Sequence, residues 1–343
     1  MLFAAGRRRS TTAAVRCLIG RRKAVSHGRV FACREQEGRW SDEEAADLSR
    51  HGRPPTGPLR RDSAVKVRPG PTTPIRIRQL SGATARDRRD DLATEEPLEI
   101  RMSAADGSRR TAAITMRTPG HDFELAAGFM SGEGLAGPGD VAAIAYCTDD
   151  DLPPEARYNT VTVHLRGPIP DLPALDRHFL TSSACGVCGS ASLESLHDRC
   201  RPLPRGELTL TAELLYGLPE ALRGVQSGFG KTGGLHAAGL FSASGTLVAA
   251  REDVGRHNAV DKLVGWAAMS GRLPLRDHVL MVSGRASYEI MQKALSAGIP
   301  AVCAVSAPSS LAVDLAREFG ITLVGFLRGE RCNVYAGGER VAG

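Results

Sequence analysis

The sequence predicts an α/β protein with a mostly parallel sheet in its last third and a strand-rich portion before it. At 343 residues with 42% apolar residues, the chain is long enough to bury a sizeable core. From residue 278 onwards, short apolar segments alternate with amphipathic ones, which is typical of parallel βαβ units. The apolar segments carry apolar residues on both sides, as strands do in a sheet covered on both faces.

The last third divides into alternating strands and helices. Gly298 and Gly320 each follow an amphipathic segment and are expected to end a helix. The predicted strands are 278–282, 301–305 and 321–326, and the predicted helices are 287–297 and 310–319.

Between residues 98 and 269 the pattern is more varied. Alternating apolar residues predict strands at 98–102 and 112–116, joined by a turn at Asp106-Gly107, and another strand at 158–165. We also predict a hairpin of 235–241 and 246–250, and helices at 121–130, 211–223 and 258–269, the last of them amphipathic.

The positive net charge belongs to the start of the chain. Residues 1–70 hold sixteen Lys or Arg and seven Asp or Glu, whereas the remainder carries a net charge of −3. This distribution gives no indication of a basic face for nucleic acid. We interpret residues 1–75 as an extension that is disordered, or a targeting segment, or translated from a start codon placed too far upstream. The folded domain is then 76–343, with a β-rich portion at 76–205 and an α/β portion at 206–343.

Eight cysteines occur in a chain without an evident export signal, so we expect reduced thiols and a cytoplasmic protein. No apolar run approaches the roughly 20 residues that a membrane span needs, so no membrane contact is expected.

The sharpest motif is Cys185-Gly-Val-Cys188, which lies among small residues. Three kinds of site are compatible with this spacing. A structural zinc site would use His197 and Cys200 as further ligands. A thioredoxin-like redox pair would follow a strand within a βαβ unit. A persulfide carrier would need an accessible thiolate, which the flanking glycines and a helix start near Ser190 would favour.

Two further motifs precede the last third. The glycine-rich segment 228–234 resembles a turn, or a loop whose backbone N–H groups hold phosphate, but it is not a Walker loop. The segment 251–262 packs seven titratable groups into twelve residues between a strand and a helix. It is compatible equally with a ligand site and with a solvated loop.

Ser, Gly and Arg residues follow three successive predicted strands. They are Ser283-Gly284-Arg285, the segment 306–310, and the segment 326–331 with Arg328 and Arg331. The carboxyl ends of parallel strands meet at one edge of a sheet, so this clustering predicts a ligand that bears phosphate.

Together these motifs resemble the FdhD family of sulfur carriers required for formate dehydrogenase activity. The resemblance covers residue 90 to the C-terminus and rests on five motifs in the family's order: Cys185-Gly-Val-Cys188-Gly, Thr232-Gly-Gly-Leu-His236, Glu252-Asp-Val-Gly-Arg-His-Asn258 with Asp261-Lys262, Ser283-Gly-Arg285, and Phe326-Leu-Arg-Gly-Glu-Arg331 with Asn333-Val-Tyr335.

The resemblance implies a cytidine deaminase-like three-layer sandwich. A zinc deaminase needs a His-x-Glu motif, and His236-Ala-Ala238 lacks the glutamate, so deaminase chemistry is not expected. We expect no tightly held metal.

The resemblance also implies partners and site residues. A cysteine desulfurase would donate sulfur to Cys185 as a persulfide, with Cys188 assisting. The sulfur would pass to a molybdenum bis-molybdopterin guanine dinucleotide cofactor before its insertion into the catalytic subunit of formate dehydrogenase. A homodimer is expected. The alternatives are an escort protein that binds the cofactor without sulfur chemistry and a zinc-stabilised domain that uses Cys185, Cys188, His197 and Cys200. The residues expected to bind the cofactor are His236, Ser283, Gly284, Arg285, Phe326, Leu327, Arg328, Gly329, Glu330 and Arg331.

Overall fold

The structure is a computed structural model, and it describes residues 69–147, 158–170, 196, 200–204 and 208–342. These residues form fourteen strands and six α-helices. The strands are β1 Thr72–Ser81, β2 Thr84–Ala93, β3 Glu96–Ser103, β4 Arg109–Arg117, β5 Val141–Tyr146, β6 Thr160–Leu165, β7 Leu210–Thr211, β8 His236–Ser242, β9 Leu247–Asp253, β10 His278–Val282, β11 Ala301–Ala304, β12 Thr322–Arg328, β13 Arg331–Ala336 and β14 Val341–Ala342. The helices are α1 Asp122–Gly132, α2 Ala212–Val225, α3 Ser227–Thr232, α4 Arg256–Met269, α5 Tyr288–Ser296 and α6 Ser310–Phe319.

Most of the helices and strands predicted from the sequence are confirmed. The alternation from β10 to β12 occurs as predicted, and α6 has the predicted bounds. Gly298 and Gly320 both adopt positive φ after a helix, which is the role that their positions predicted. Asp106-Gly107 turns the chain between β3 and β4, and Gly107 has φ 86°.

The first sheet accounts for the predicted β-rich portion. Its four strands lie in the order β4-β3-β6-β5, with β3 and β6 parallel and the other pairs antiparallel. Helix α1 packs on this sheet through Leu125 and Met130, which contact the inward side chains Leu98, Ile100 and Val161.

The second sheet has six strands in the order β13-β12-β11-β10-β8-β9. Only the pairs β10–β11 and β11–β12 are parallel, so the prediction of a mostly parallel sheet is wrong. The pairs β8–β9 and β12–β13 are hairpins with short turns, and a short turn can join only antiparallel strands. Strand β8 also runs antiparallel to β10.

Both faces of the six-stranded sheet are covered by helices. The side chains of α4, α5 and α6 form one buried cluster with Leu240, Leu280 and Leu323 of the sheet. On the opposite face, α2 packs its Leu215, Leu218 and Leu222 against Phe241 and Met281 of the sheet, among others. This portion therefore has three layers, as predicted, while a specific likeness to the cytidine deaminase fold stays a prediction.

Helix α4 is not amphipathic in the way that its sequence suggested. The predicted apolar face is buried, but Asn258, Asp261 and Lys262 are buried as well. The reason is that α4 is enclosed between the six-stranded sheet and α1, so polar residues on its second face pair inside the protein.

A two-stranded ribbon precedes the first sheet. Strands β1 and β2 pair along their whole length of ten residues, and most of their side chains are exposed. The ribbon begins at Thr72, within the segment interpreted from the sequence as an extension. Its many charged residues hid the alternation that a strand prediction needs.

Candidate functional site at the strand ends of the six-stranded sheet

The parallel strands β10, β11 and β12 end at the same edge of the sheet, and the antiparallel β8 begins there. The backbone N–H of Ala237 donates to the Ser283 hydroxyl at 2.9 Å, and the N–H of Ser283 donates to the Ala237 carbonyl at 3.0 Å. These two hydrogen bonds hold His236, the first residue of β8, beside Ser283-Gly284. Two segments that are 47 residues apart in sequence are thus neighbours, as the resemblance implied.

Backbone hydrogen bonds continue past the ends of the strands. The N–H of Ser306 donates to the carbonyl of Gly284 at 3.3 Å, and that of Phe326 donates to the carbonyl of Ser306 at 3.1 Å. The loops after β10, β11 and β12 therefore form one continuous surface. The clustering of strand-end Ser, Gly and Arg that the sequence predicted is present.

The segment Phe326–Arg331 forms the end of β12 and the turn into β13. Phe326 has φ 53°, a conformation that is rare for a bulky side chain, and its side chain is 37% exposed. The Nε of Arg328 donates to the Val305 carbonyl at 3.1 Å, which holds this arginine across the end of β11. Leu327 is fully buried in the core, so only its backbone can face a ligand.

Arg285, Glu330 and Arg331 are exposed near this surface. Among the residues that the structure describes, the side chains of Arg285 and Arg331 make no hydrogen bond or ion pair. These two arginines, which no other described residue engages, can bind an anionic ligand.

Two histidines stand at the same edge and are held neutral. Burial lowers the pKa of His236 below its ordinary value, and the nearby Arg256 lowers it further against the opposing effect of Asp253. Burial and Arg256 together lower the pKa of His257 to about 4. The Nε2 of His257 lies 3.1 Å from the Ser287 hydroxyl and 3.6 Å from the Glu289 carboxylate.

His257 and Arg256 belong to the charged segment 251–262, but neither was among the residues expected to bind the cofactor. Their position in the sequence could have indicated a ligand site, because they lie between the end of a predicted strand and the start of a predicted helix. Such a junction is a common ligand position in α/β sheets.

Most of that charged segment is neither a ligand site nor a solvated loop. Asp253 and Lys262 are fully buried and form an ion pair of 2.6 Å. The Lys262 ammonium also donates to the Thr118 carbonyl at 2.9 Å, and the Asn258 amide donates to Asp253 at 3.0 Å. These contacts join α4 to β9 and to the end of β4. Both interpretations of the charges at 253 and 262 are therefore wrong.

The glycine-rich segment 228–234 is likewise engaged within the protein. Its first residues belong to α3, and the N–H groups of Gly228 and Phe229 donate to the two carboxylate oxygens of Glu252, at 2.9 and 2.8 Å. A carboxylate of this chain thus takes the place that a phosphate would need. Gly233 has φ 66° and ends α3 before β8.

Cys185 and Cys188 lie outside the described residues, as does His197. Of the four candidate zinc ligands only Cys200 is described, so the choice between a zinc site, a redox pair and a persulfide carrier stays open on structure alone. Within the described ranges, no group of three or more His, Cys, Asp or Glu side chains is placed to hold a metal ion. None of the helices in this part of the chain is long and apolar enough to cross a membrane.

Comparison with known proteins gives consistent matches. Residues 93–342 match the model of the FdhD/NarQ family. The chain is 51% identical over 268 residues to the Sulfur carrier protein FdhD of Nocardia farcinica, covering 78% of this chain and 93% of that protein. It is 54% identical over 273 residues to the protein of the same name from Streptomyces coelicolor, covering 78% and 94%.

A solved structure shares the fold. A protein from Desulfotalea psychrophila, with a proposed role as a formate dehydrogenase accessory protein, superposes with a TM-score of 0.62 at 24% identity. The match covers 79% of this chain and all of that one. At this identity the likeness bears on the fold alone. The family match over residues 93–342, together with relatives about half identical over most of their length, shows that this chain belongs to the FdhD/NarQ family.

Proposed function

We propose that the chain is a cytoplasmic sulfur carrier for maturation of a molybdenum cofactor. In this proposal a cysteine desulfurase supplies sulfur, which Cys185 holds as a persulfide with the assistance of Cys188. The sulfur passes to molybdenum bis-molybdopterin guanine dinucleotide before that cofactor enters the catalytic subunit of formate dehydrogenase. Support comes from membership of the FdhD/NarQ family and from relatives that carry the name Sulfur carrier protein FdhD.

The observation that carries the proposal is the strand-end surface. It brings Ser283-Gly284-Arg285, His236 and the segment Phe326–Arg331 to one edge of the sheet. Arginines suit the phosphate groups of a dinucleotide because the guanidinium can donate two parallel hydrogen bonds. Glycine at 284 leaves the backbone open to close approach, and an exposed aromatic ring at 326 offers a stacking surface for a heterocycle.

The proposal divides the work between two parts of the chain. The cysteine pair would carry sulfur, and the strand-end surface would hold the recipient. Thiolates are the reactive form of cysteine, and a persulfide is more acidic than a thiol, so the loaded group would be anionic at neutral pH. We also propose that the protein acts as a homodimer, as the resemblance implied.

Sulfur loading is tested by intact-mass spectrometry of the full chain after incubation with a cysteine desulfurase and cysteine. We expect a gain of one sulfur atom in the wild-type protein and in Cys200→Ala, and no gain in Cys185→Ala. A Cys185→Ala protein that gains the same mass as wild type would remove Cys185 from its proposed role.

The recipient step needs a second measurement, because an escort protein could bind the cofactor without handling sulfur. The double variant Cys185→Ala/Cys188→Ala should still bind guanosine diphosphate, measured by calorimetry, and should fail to activate formate dehydrogenase. Full activation by the double variant would favour the escort protein over the sulfur carrier.

A further inference from the structure

Arg256, the first residue of α4, has an unsatisfied nitrogen at the strand-end surface. Its Nε is shut off from solvent and has no hydrogen-bond acceptor. Among the residues that the structure describes, its side chain makes no hydrogen bond or ion pair. A shielded guanidinium N–H without an acceptor is unfavourable, so its presence calls for a partner that the described residues do not supply.

Arg256 and His236 both lie beside Gly284 at the end of β10, and the surface of these three residues is termed the pocket. A Cβ placed on Gly284 would lie 3.4 Å from the Nδ1 of His236 and 3.9 Å from the Cδ of Arg256. His236 and Arg256 therefore approach the same glycine from two sides.

The charges around this pocket favour an anion. Asp253, the acid nearest to His236 in the β8–β9 pairing, is neutralised by Lys262 at 2.6 Å. Glu289 faces His257 at 3.6 Å and remains ionised, since its pKa lies below the ordinary value despite burial, owing to hydrogen bonds from Ser287 and its own backbone. Arg256 and the exposed Arg285 outweigh that one carboxylate.

The two histidines suit the same ligand for a different reason. Because both pKa values are depressed, each imidazole is neutral at pH 7 and can donate one N–H without adding a charge. Together with the guanidinium, the pocket offers donors from three side chains. Preorganised donors are what an anion-binding site requires, and the Arg256 Nε is a donor without an acceptor among the described residues.

We propose that Arg256, His236 and His257 form an anion subsite over Gly284 that binds a charged group of the sulfur-transfer reaction. That group is a phosphate of the nucleotide or the terminal sulfur of a persulfide, which share a compact negative charge. The identity of the group rests on the proposed function, whereas the capacity to bind an anion does not.

The test uses the full chain and the variant Arg256→Gln, with Arg272→Gln as the matched control. Arg272 follows the last turn of α4, where its guanidinium lies over the Trp266 ring at 5.2 Å, so it loses the same charge far from the pocket. The phosphate arm measures the affinity for inorganic pyrophosphate by calorimetry. The sulfur arm measures the rate at which an alkylating reagent modifies the persulfide formed by a cysteine desulfurase.

We expect Arg256→Gln to weaken pyrophosphate binding about tenfold, or to change the alkylation rate by a similar factor, because a charge-assisted hydrogen bond is lost. Arg272→Gln should change neither, and Arg256→Lys should restore part of the effect. The thermal unfolding midpoint should change little in Arg256→Gln, since no hydrogen bond or ion pair between Arg256 and another described residue is removed. Equal behaviour of Arg256→Gln and Arg272→Gln in both arms overturns the subsite.

The two proposals fail separately in this design. If Cys185 accepts no sulfur, the proposed function fails, while the pyrophosphate arm still decides whether Arg256 belongs to an anion subsite. If sulfur loads normally and neither arm depends on Arg256, the subsite fails and the carrier function stands.

Discussion

Helices α1 and α4 cross with their backbones in contact, and this crossing makes a sharp prediction for Gly128→Ala. A Cβ on Gly128 would overlap the Asp261 carbonyl oxygen and lie 2.6 Å from its carbon, and a Cβ on Gly265 would lie 2.6 Å from the Glu124 carbonyl carbon. Real Cβ atoms essentially never lie closer than 3.0 Å to another heavy atom, and neither obstacle is a flexible side chain. The helices must therefore separate by roughly 1 Å, as overpacked cores do by shifting the backbone.

That separation would stretch the bond of 2.9 Å between Lys262 and the Thr118 carbonyl. Overpacking costs about 1–3 kcal/mol and a lost buried hydrogen bond about 1 kcal/mol more, while alanine regains up to about 1 kcal/mol of helix propensity. We expect Gly128→Ala to lower the free energy of unfolding by about 3 kcal/mol, which corresponds to a drop in Tm of roughly 6–12 °C.

The matched control is Gly217→Ala in α2. Gly217 is exposed in a helix interior, and a Cβ there meets nothing within 4 Å. We expect this variant to be more stable than wild type by up to about 1 kcal/mol. Urea unfolding followed by circular dichroism measures both variants. If Gly128→Ala unfolds within about 1 kcal/mol of Gly217→Ala, on the order of the propensity term alone, the packing argument is refuted.

Three further predictions concern the buried polar groups around the site. Lys262→Met leaves the buried Asp253 carboxylate without its ion-pair partner. We expect the free energy of unfolding, measured in urea, to fall by about 3–5 kcal/mol. A fall no larger than that in the surface variant Lys231→Met would contradict this prediction. The pKa of His257 lies at about 4 against an ordinary 6.5, so the unfolded state binds more protons between these values and stability should fall as the pH drops from 6.5 to 4. In His257→Gln, the loss of unfolding free energy between pH 6.5 and 4 should be smaller than in wild type by up to about 3 kcal/mol. An equal loss in the variant and in wild type would exclude His257 as its origin. Glu252→Gln replaces one of the two acceptors of the Gly228 and Phe229 N–H groups, and we expect a loss of about 1–2 kcal/mol, measured against Glu220→Gln on the exposed side of α2.

The elements that local pattern determines were predictable from the sequence. Alternating apolar residues identified β3 and β4, short apolar segments identified β10–β12, and the glycines at 298 and 320 marked the helix ends. The motifs shared with the FdhD family grouped His236 with Ser283, and the hydrogen bonds between Ala237 and Ser283 show that these segments are neighbours. Local pattern does not determine which strands pair, so the antiparallel position of β8 beside β10 was missed.

The burial of charged residues could not be predicted from the local sequence pattern either. Lys262 is buried because its partners include the Thr118 carbonyl, which is 144 residues away in sequence. Nothing near Lys262 in the sequence indicates that α1 and the end of β4 enclose this side of α4. The ribbon β1–β2 was missed for the opposite reason, since exposed strands carry charges on both faces and have no apolar alternation.

The segment 251–262 shows how one short stretch serves both stability and chemistry. Asp253, Asn258 and Lys262 point into the protein and fix the start of α4 against β9 and β4. Arg256 and His257 lie on the same turn and face the strand ends. There the Arg256 Nε has no hydrogen-bond partner within the described residues, and the His257 Nε2 lies 3.1 Å from the Ser287 hydroxyl. A guanidinium can be held unpaired at a binding surface only if the backbone that carries it cannot shift to relieve the cost. The buried ion pair supplies that rigidity, so the titratable groups of this segment that point inward hold the position of Arg256 and His257 at the proposed anion subsite.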